Sequence, residues 1–302
     1  MKLVTFILNG EYRLGAHTTS GIVDINEAKK EYPTDLYIPE STMALIESGK
    51  EGLHALETFI STLPLHEQSN FLYDELQMKW APCVPKPKKI ICVGLNYRKH
   101  AEETNASIPS SPILFNKFHN ALAGHRENIE IPNETAELDY EAELAIVIGQ
   151  RAKHVSKENA LQYVFGYTVA NDISARDLQM RTGQWLLGKS CDGFAPLGPY
   201  LVTADEVGDP NNLSIQTEVN GEMRQNSNTE DMIFYCDEIV SYISKHMTLE
   251  PGDIILTGTP EGVVLGLPVE QRVYLQPGDE VKVIIEKLGS LHNVFVKEVI
   301  KE

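Results

Sequence analysis

The run Asp139-Tyr140-Glu141-Ala142-Glu143-Leu144-Ala145-Ile146-Val147-Ile148-Gly149 places two carboxylates, one residue apart, at the mouth of an apolar, β-branched segment. Such a segment predicts a strand buried on at least one face. Side chains alternate along a strand, so Glu141 and Glu143 point the same way, one pleat apart. Paired carboxylates entering a core repel each other and cost free energy to desolvate. A hard divalent cation removes both costs, because Mg²⁺, Mn²⁺ and Ca²⁺ all take carboxylate oxygens. Glu-x-Glu is equally ordinary on a solvated strand face, so spacing alone leaves both readings open. Downstream, residues 165–170 read as a strand ending in Asn171-Asp172. Asp172 is then either a ligand at a strand end or the N-cap of a following helix. Gly188-Lys189-Ser190 lacks the upstream glycines of a phosphate loop, which leaves Lys189 as an isolated cation suited to a substrate oxyanion. Thr257-Gly258-Thr259-Pro260-Glu261-Gly262 offers hydroxyls and amides that suit a carboxylate. His100 and Glu103 stand at i and i+3 on a predicted helix, hence on one face.

The elements that must position these groups are legible in outline. Residues 3–8, 12–15 and 21–24 predict a small antiparallel unit turning at Asn9-Gly10. Residues 26–32, 43–48 and 52–62 predict short helices. Three prolines within residues 82–87 forbid helix and favour an extended connector, placing a boundary near residue 85. This predicts a small N-terminal α/β domain over 1–85 and a second domain over 86–302. In the second, residues 90–94 predict a buried strand, helices fall at 98–104, 157–164, 174–182 and 236–246, and strands follow the Pro-Gly-Asp turns at 251–253 and 277–279. The fold class is α+β, mainly β.

Charge narrows the partners. The 302 residues carry a net charge of −17, with 43 acidic against 26 basic residues, and no basic block. That surface repels nucleic acid and anionic lipid, so neither is expected as a partner. An anionic substrate must therefore be captured by a metal ion or by a few placed Lys and Arg. Four scattered cysteines exclude a zinc knuckle and a disulfide scaffold. The apolar run after Lys2 is too short for a signal segment, so a cytoplasmic protein is expected.

The ordered set Gly94-Leu-Asn-Tyr97 with His100 and Glu103, Asp139-Tyr-Glu-Ala-Glu-Leu-Ala145, Gly166-Tyr-Thr168 with Asn171-Asp172, Ser174-Ala-Arg-Asp-x-Gln179, Gly188-Lys-Ser190, Asn220-Gly-Glu222, and Pro251-Gly-Asp253 with Thr257-Gly-Thr-Pro260 resembles the fumarylacetoacetate hydrolase family. The resemblance implies a mixed β-sandwich roll, usually dimeric, preceded by a variable N-terminal domain. It implies Mg²⁺ or Mn²⁺ (Ca²⁺ being chemically possible) on Glu141, Glu143 and Asp172, and a His100–Glu103 dyad on a mobile lid. Substrate contacts are implied for Gln179, Lys189 and Thr259, with Tyr97 and Arg176 as further candidates. Arg98, Lys99 and Lys117 are possible extra anion contacts or plain structural ion pairs. The expected reaction is hydrolysis of a carbon–carbon bond in a β-diketo acid: His100 takes a proton from water, and Lys189 balances the developing charge. Decarboxylation of oxaloacetate, hydration or isomerisation of unsaturated 2-oxo acids, and a catalytically silent binding protein are the alternatives.

Overall fold

The structure, a computed structural model, describes residues 1–66 and 69–299. Its central strand, Ala142–Ile148, is buried along its whole length. It pairs antiparallel with Val164–Asn171 on one side and Ile254–Leu256 on the other. A strand buried on both faces needs an unbroken apolar run rather than an alternating one, and Leu144 to Ile148 is such a run. Leu144, Ile146 and Ile148 face a second sheet, against Ile215, Val283 and Phe295. Ala145 and Val147 face the other way, onto Leu45, Leu56 and Phe59 of the N-terminal helical segment.

The large sheet runs in the spatial order Leu72–Tyr73, Gly21–Asp24, Glu11–Thr18, Lys2–Leu8, Leu201–Thr203, Val164–Asn171, Ala142–Ile148, Ile254–Leu256, Ile90–Gly94, Ile113–Lys117. Among these pairs only Ile254–Leu256 with Ile90–Gly94 is parallel. The second sheet has five strands: Glu222–Asn228, Ser214–Val219, Glu280–Ile285, Gly289–Lys297 and Asn128–Ile131. The fold is a mixed α/β roll rich in strands, as the sequence predicts. The strands of residues 1–24 extend the same sheet that carries the acidic strand, through the pairing of Lys2–Leu8 with Leu201–Thr203. The first half of the proline-rich connector is packed inside and the second half lies at the surface. Cys83 and Val84 are fully buried, the Cys83 thiol donates to Thr168 Oγ1 at 3.2 Å, and Thr5 Oγ1 donates to the Cys83 carbonyl at 3.0 Å.

Helix Cys236–His246 falls where the sequence puts it, with Asp237 and Glu238 in its first turn and Lys245 and His246 in its last, complementing the helix dipole. The predicted helices at 43–48 and 52–62 form one segment, Thr42–Thr62, broken at Gly49. Two other helices are shorter than predicted. Lys157–Ala160 passes through one 3₁₀ turn, and Val164 already belongs to a strand. Ser174–Ala175 pairs with Leu138–Asp139 before the helix Arg176–Gln179 begins, because strand pairing satisfies backbone groups there that a helix would otherwise have to. Among the described residues no helix is long and apolar enough to cross a membrane.

Candidate metal centre and its cavity

Register brings the acids together. Ala142 lies opposite Asn171, so Glu141 lies opposite Asp172 just beyond the ladder, and the Asp172 amide donates to the Glu141 carbonyl at 2.9 Å. Asn171 fixes the corner, its Oδ1 accepting from the Glu141 amide at 3.0 Å. Glu141, Glu143 and Asp172 each offer a carboxylate oxygen, and these oxygens lie within 4.8 Å of one another. All three residues are buried.

The three acids are not equivalent. Burial alone would push Glu141 up, but Lys189 at 2.7 Å and Arg176 at 2.7 Å outweigh it and hold this carboxyl down, at about 2. Glu143 goes the other way. Burial raises it, the Asp172 and Glu141 carboxylates raise it further, and the Gly258 amide at 2.7 Å does not compensate. Asp172 is flanked by two ammonium groups, Lys117 at 2.6 Å and Lys189 at 3.0 Å. Two carboxylates tied to cations and a third that resists ionisation are what a divalent cation relieves: it pairs with Glu143 and offsets the mutual repulsion. The donor set is hard oxygen throughout, which suits Mg²⁺, Mn²⁺ or Ca²⁺ and not a thiophilic ion.

A cavity of about 640 Å³ opens onto this centre. Glu141, Glu143, Arg176, Gln179, Lys189 and Thr259 line it, as do His100 and Glu103. The dyad sits on helix Arg98–Glu103, with His100 Nδ1 and Glu103 Oε1 at 2.7 Å. Glu103 Oε2 also accepts from the Gly262 amide at 2.9 Å, which orients the carboxylate. Arg98 pins the helix by donating to the Met232 carbonyl at 2.6 Å. Asn96 ties its approach to the neighbouring loops, donating to the Thr257 carbonyl at 2.7 Å and accepting from the Phe234 amide at 2.8 Å. Gln179 Oε1 accepts from Arg176 at 3.0 Å, and Thr259 Oγ1 accepts from Gln225 at 2.9 Å.

Two placements differ from the expected roles. Tyr97 is fully buried in the core beneath the dyad helix and is not part of the cavity wall; its backbone bridges to Met232, which turns the ring inward. Arg176 lines the cavity, but its guanidinium is held by Asp139 at 2.8 Å and Glu141 at 2.7 Å, so it positions an acid. Arg98 and Lys99, for which the sequence leaves an anion contact and a structural ion pair both open, do not line the cavity, and Lys99 Nζ lies 3.6 Å from Glu261.

The sequence did not single out Asp139, Asn171 or Arg272. Asp139 is fully buried and accepts from the Val264 and Leu265 amides at 2.9 and 3.0 Å while pairing with Arg176, which ties the acidic strand to the loop roofing the dyad. An acid two residues ahead of Glu141 in the same run was the available signal.

Two glycines set close approaches. Gly258 has φ +98, and a Cβ there would lie 2.7 Å from Asn96 Cβ, so only glycine brings its amide to Glu143 without strain. At Gly266 a Cβ would stand 2.4 Å from Glu103 Cδ. The carboxylate is the flexible partner, so Gly266→Ala is expected to fold yet push Glu103 off His100. Turnover should fall roughly 10- to 100-fold, the range for a lost orienting partner, with Mn²⁺ affinity by calorimetry unchanged. Wild-type turnover in this variant would show that the Glu103 contact does not matter.

The chain belongs to the fumarylacetoacetate hydrolase family: the family's "Fumarylacetoacetate (FAA) hydrolase C-terminal" profile matches residues 89–296. Over nearly its full length it is similar to a mitochondrial oxaloacetate tautomerase of Rattus norvegicus, 44% identical across 91% of this chain and 84% of the relative. Among solved structures it resembles the fumarylacetoacetate hydrolase of Exiguobacterium antarcticum, with 35% identity, a TM-score of 0.80, and 99% and 100% of the two chains covered. It also resembles the maleylpyruvate hydrolase of Sphingobium sp. SYK-6 in complex with manganese(II) and pyruvate, with 31% identity, a TM-score of 0.79 and the same coverage. These relatives are enzymes, and the last is a manganese-binding one.

Proposed function

We propose that this protein is a divalent-cation-dependent enzyme that interconverts the keto and enol forms of oxaloacetate-like 2-oxo acids. The observation that carries the reading is the buried triad of Glu141, Glu143 and Asp172 sharing one cavity with a His–Glu dyad. The naming of a 44%-identical relative as an oxaloacetate tautomerase supports it. Mg²⁺ or Mn²⁺ on the triad would polarise the oxygens of the 2-oxo acid and stabilise negative charge developing on the keto oxygen.

The chain's own groups supply the rest. Glu103 accepts from His100 Nδ1–H, which leaves Nε2 as the base and stabilises the imidazolium once it forms. His100 takes a proton from C3 of the keto acid; that electron pair becomes the C2–C3 double bond, and the carbonyl pair moves to the C2 oxygen. The proton returns to that oxygen to give the enol. Lys189 holds Glu141 and Asp172 in place and adds positive charge beside the oxyanion. Gln179 and Thr259, both on the cavity wall, would orient the carboxylate.

Carbon–carbon hydrolysis of acylpyruvates or fumarylacetoacetate-like β-diketo acids is the second reading, with His100 taking its proton from water. The cavity supports it, since about 640 Å³ lined by Phe115, Met180, Trp185 and Leu267 has space and apolar wall beyond the needs of a four-carbon acid. A panel of oxaloacetate, acetylpyruvate, maleylpyruvate and fumarylacetoacetate, each with Mg²⁺, Mn²⁺ or EDTA, separates these readings. Metal-dependent keto–enol interconversion of oxaloacetate without loss of carbon supports the first. Release of pyruvate from the diketo acids moves hydrolysis into its place, and CO₂ from oxaloacetate marks a decarboxylase. Binding without turnover marks a silent relative. A homodimer and a domain boundary near residue 85 belong to the same proposal; light scattering and limited proteolysis test them.

A further inference from the structure

Among the described residues the cavity wall carries three permanent cations, and two of them are spoken for. Arg176 is held by Asp139 and Glu141, and Lys189 by Glu141 and Asp172. The third, Arg272, pairs with no carboxylate among the described residues. Its Nε donates to the Leu267 carbonyl at 2.9 Å, which closes the loop from Leu265 to Arg272 over the dyad; the Tyr274 phenol lies within the guanidinium's reach, and neither terminal nitrogen is tied to a carboxylate among the described residues. Around it the wall is apolar, from Leu265, Leu267, Pro268 and Val269. In a chain with a net charge of −17, a half-buried guanidinium kept clear of acids on a cavity wall is a positioned anion receptor.

From this placement we infer that Arg272 binds the distal carboxylate of a dicarboxylic 2-oxo acid whose oxalyl end lies at the acidic triad, and so selects dicarboxylates over monocarboxylates. The inference rests on the 2-oxo acid reading above and names the substrate class within it. A planar guanidinium fork that no carboxylate of the described residues occupies matches a carboxylate edge. The triad cannot serve this end of the ligand, because its own charge is negative. Nothing in its own segment marks the role, since Arg272 lies in a loop far along the chain from every acid of the site.

Two inert probes share the oxalyl head and differ in the distal carboxylate: oxamate and N-oxalylglycine. Calorimetric titration of each into the Mg²⁺-loaded protein gives an affinity ratio, to be compared between wild type, Arg272→Gln and Arg272→Lys, with melting curves confirming that all three fold. We expect wild type to favour N-oxalylglycine, the ratio to fall roughly 10-fold or more in Arg272→Gln, and Arg272→Lys to lie between, keeping the charge and losing the fork. An unchanged ratio in Arg272→Gln overturns the inference. So does an equal weakening of both probes, which would reduce Arg272 to a brace for the loop. Wild type that binds both probes without interconverting oxaloacetate overturns the proposed reaction and leaves the ratio to judge Arg272; wild type that binds neither overturns both.

Discussion

Glu143→Gln is expected to move metal binding and metal-free stability in opposite directions. Without its third anionic oxygen the centre should lose Mn²⁺ affinity at least about 100-fold, and metal-dependent turnover should drop by about 10³ or more, since a Lewis-acid cation supplies several kcal/mol of charge stabilisation. The same change should raise the melting temperature of the metal-free protein. Glu143 is buried beside Asp172 and Glu141, and its carboxyl is pushed well above the usual range by burial first and by those neighbours next. A carboxyl raised in the folded state binds more protons there than in the unfolded chain, so metal-free stability falls as pH rises from about 4.5 toward the raised value. Glutamine mimics the protonated acid and has no such loss, so the variant's advantage over wild type should widen with pH. Urea melts in EDTA at several pH values, paired with Mn²⁺ calorimetry, check both halves. A Glu143→Gln protein that is less stable than wild type in EDTA, or that binds Mn²⁺ as tightly, contradicts the assignment. Asp172→Ala is a poorer probe: it leaves Lys189 with Glu141 alone and strands the Lys117 ammonium in the interior, and such an uncompensated charge destabilises by about 3–5 kcal/mol.

His100→Gln should leave the centre's Mn²⁺ affinity within about twofold of wild type while lowering kcat by roughly 10²–10⁴, the range for a positioned general base. The imidazole touches none of the three acids and makes its side-chain contact with Glu103. Its loss therefore separates the proton-transfer function from cation binding, which no change at Glu141, Glu143 or Asp172 can do. Glu103→Gln should fall between the two, since it removes the orienting carboxylate and leaves the base. Steady-state kinetics on all three variants, each with its Mn²⁺ isotherm, measures the split. A His100→Gln enzyme with an unchanged kcat would assign the proton transfer elsewhere.

The Glu141–Glu143 pair was legible because its geometry is local: alternation puts the two on one face of one strand. Asp172, which its own segment leaves as ligand or helix cap, joined them only through the family resemblance, and the register of the paired strand is what brings it there. The His100–Glu103 pair was legible through locality too, being one helical turn. What the sequence hid depends on contacts between distant segments. Asp139, Lys117 and Asn96 look unremarkable in their own segments, and each acts through a partner far along the chain: Val264, Asp172 and Thr257. Lys189 reads in sequence as a free cation, yet the fold seats it between two carboxylates. Tyr97 reads as part of a site motif, and packing turns its ring into the core. The short helices at 157–160 and 176–179 were overextended because strand pairing at Val164 and at Ser174–Ala175 overrides local helix preference.

The measurement that bears most directly on the central claim is exchange of the C3 hydrogens of oxaloacetate with D₂O, followed by proton NMR. It would be run with the purified protein in Mn²⁺ and in EDTA, with rapid quenching before detection, beside Glu143→Gln and His100→Gln. The account predicts exchange well above the solution rate with Mn²⁺, near the background rate in EDTA, and near background in both variants. Exchange that persists in EDTA, or that survives both substitutions, would contradict it.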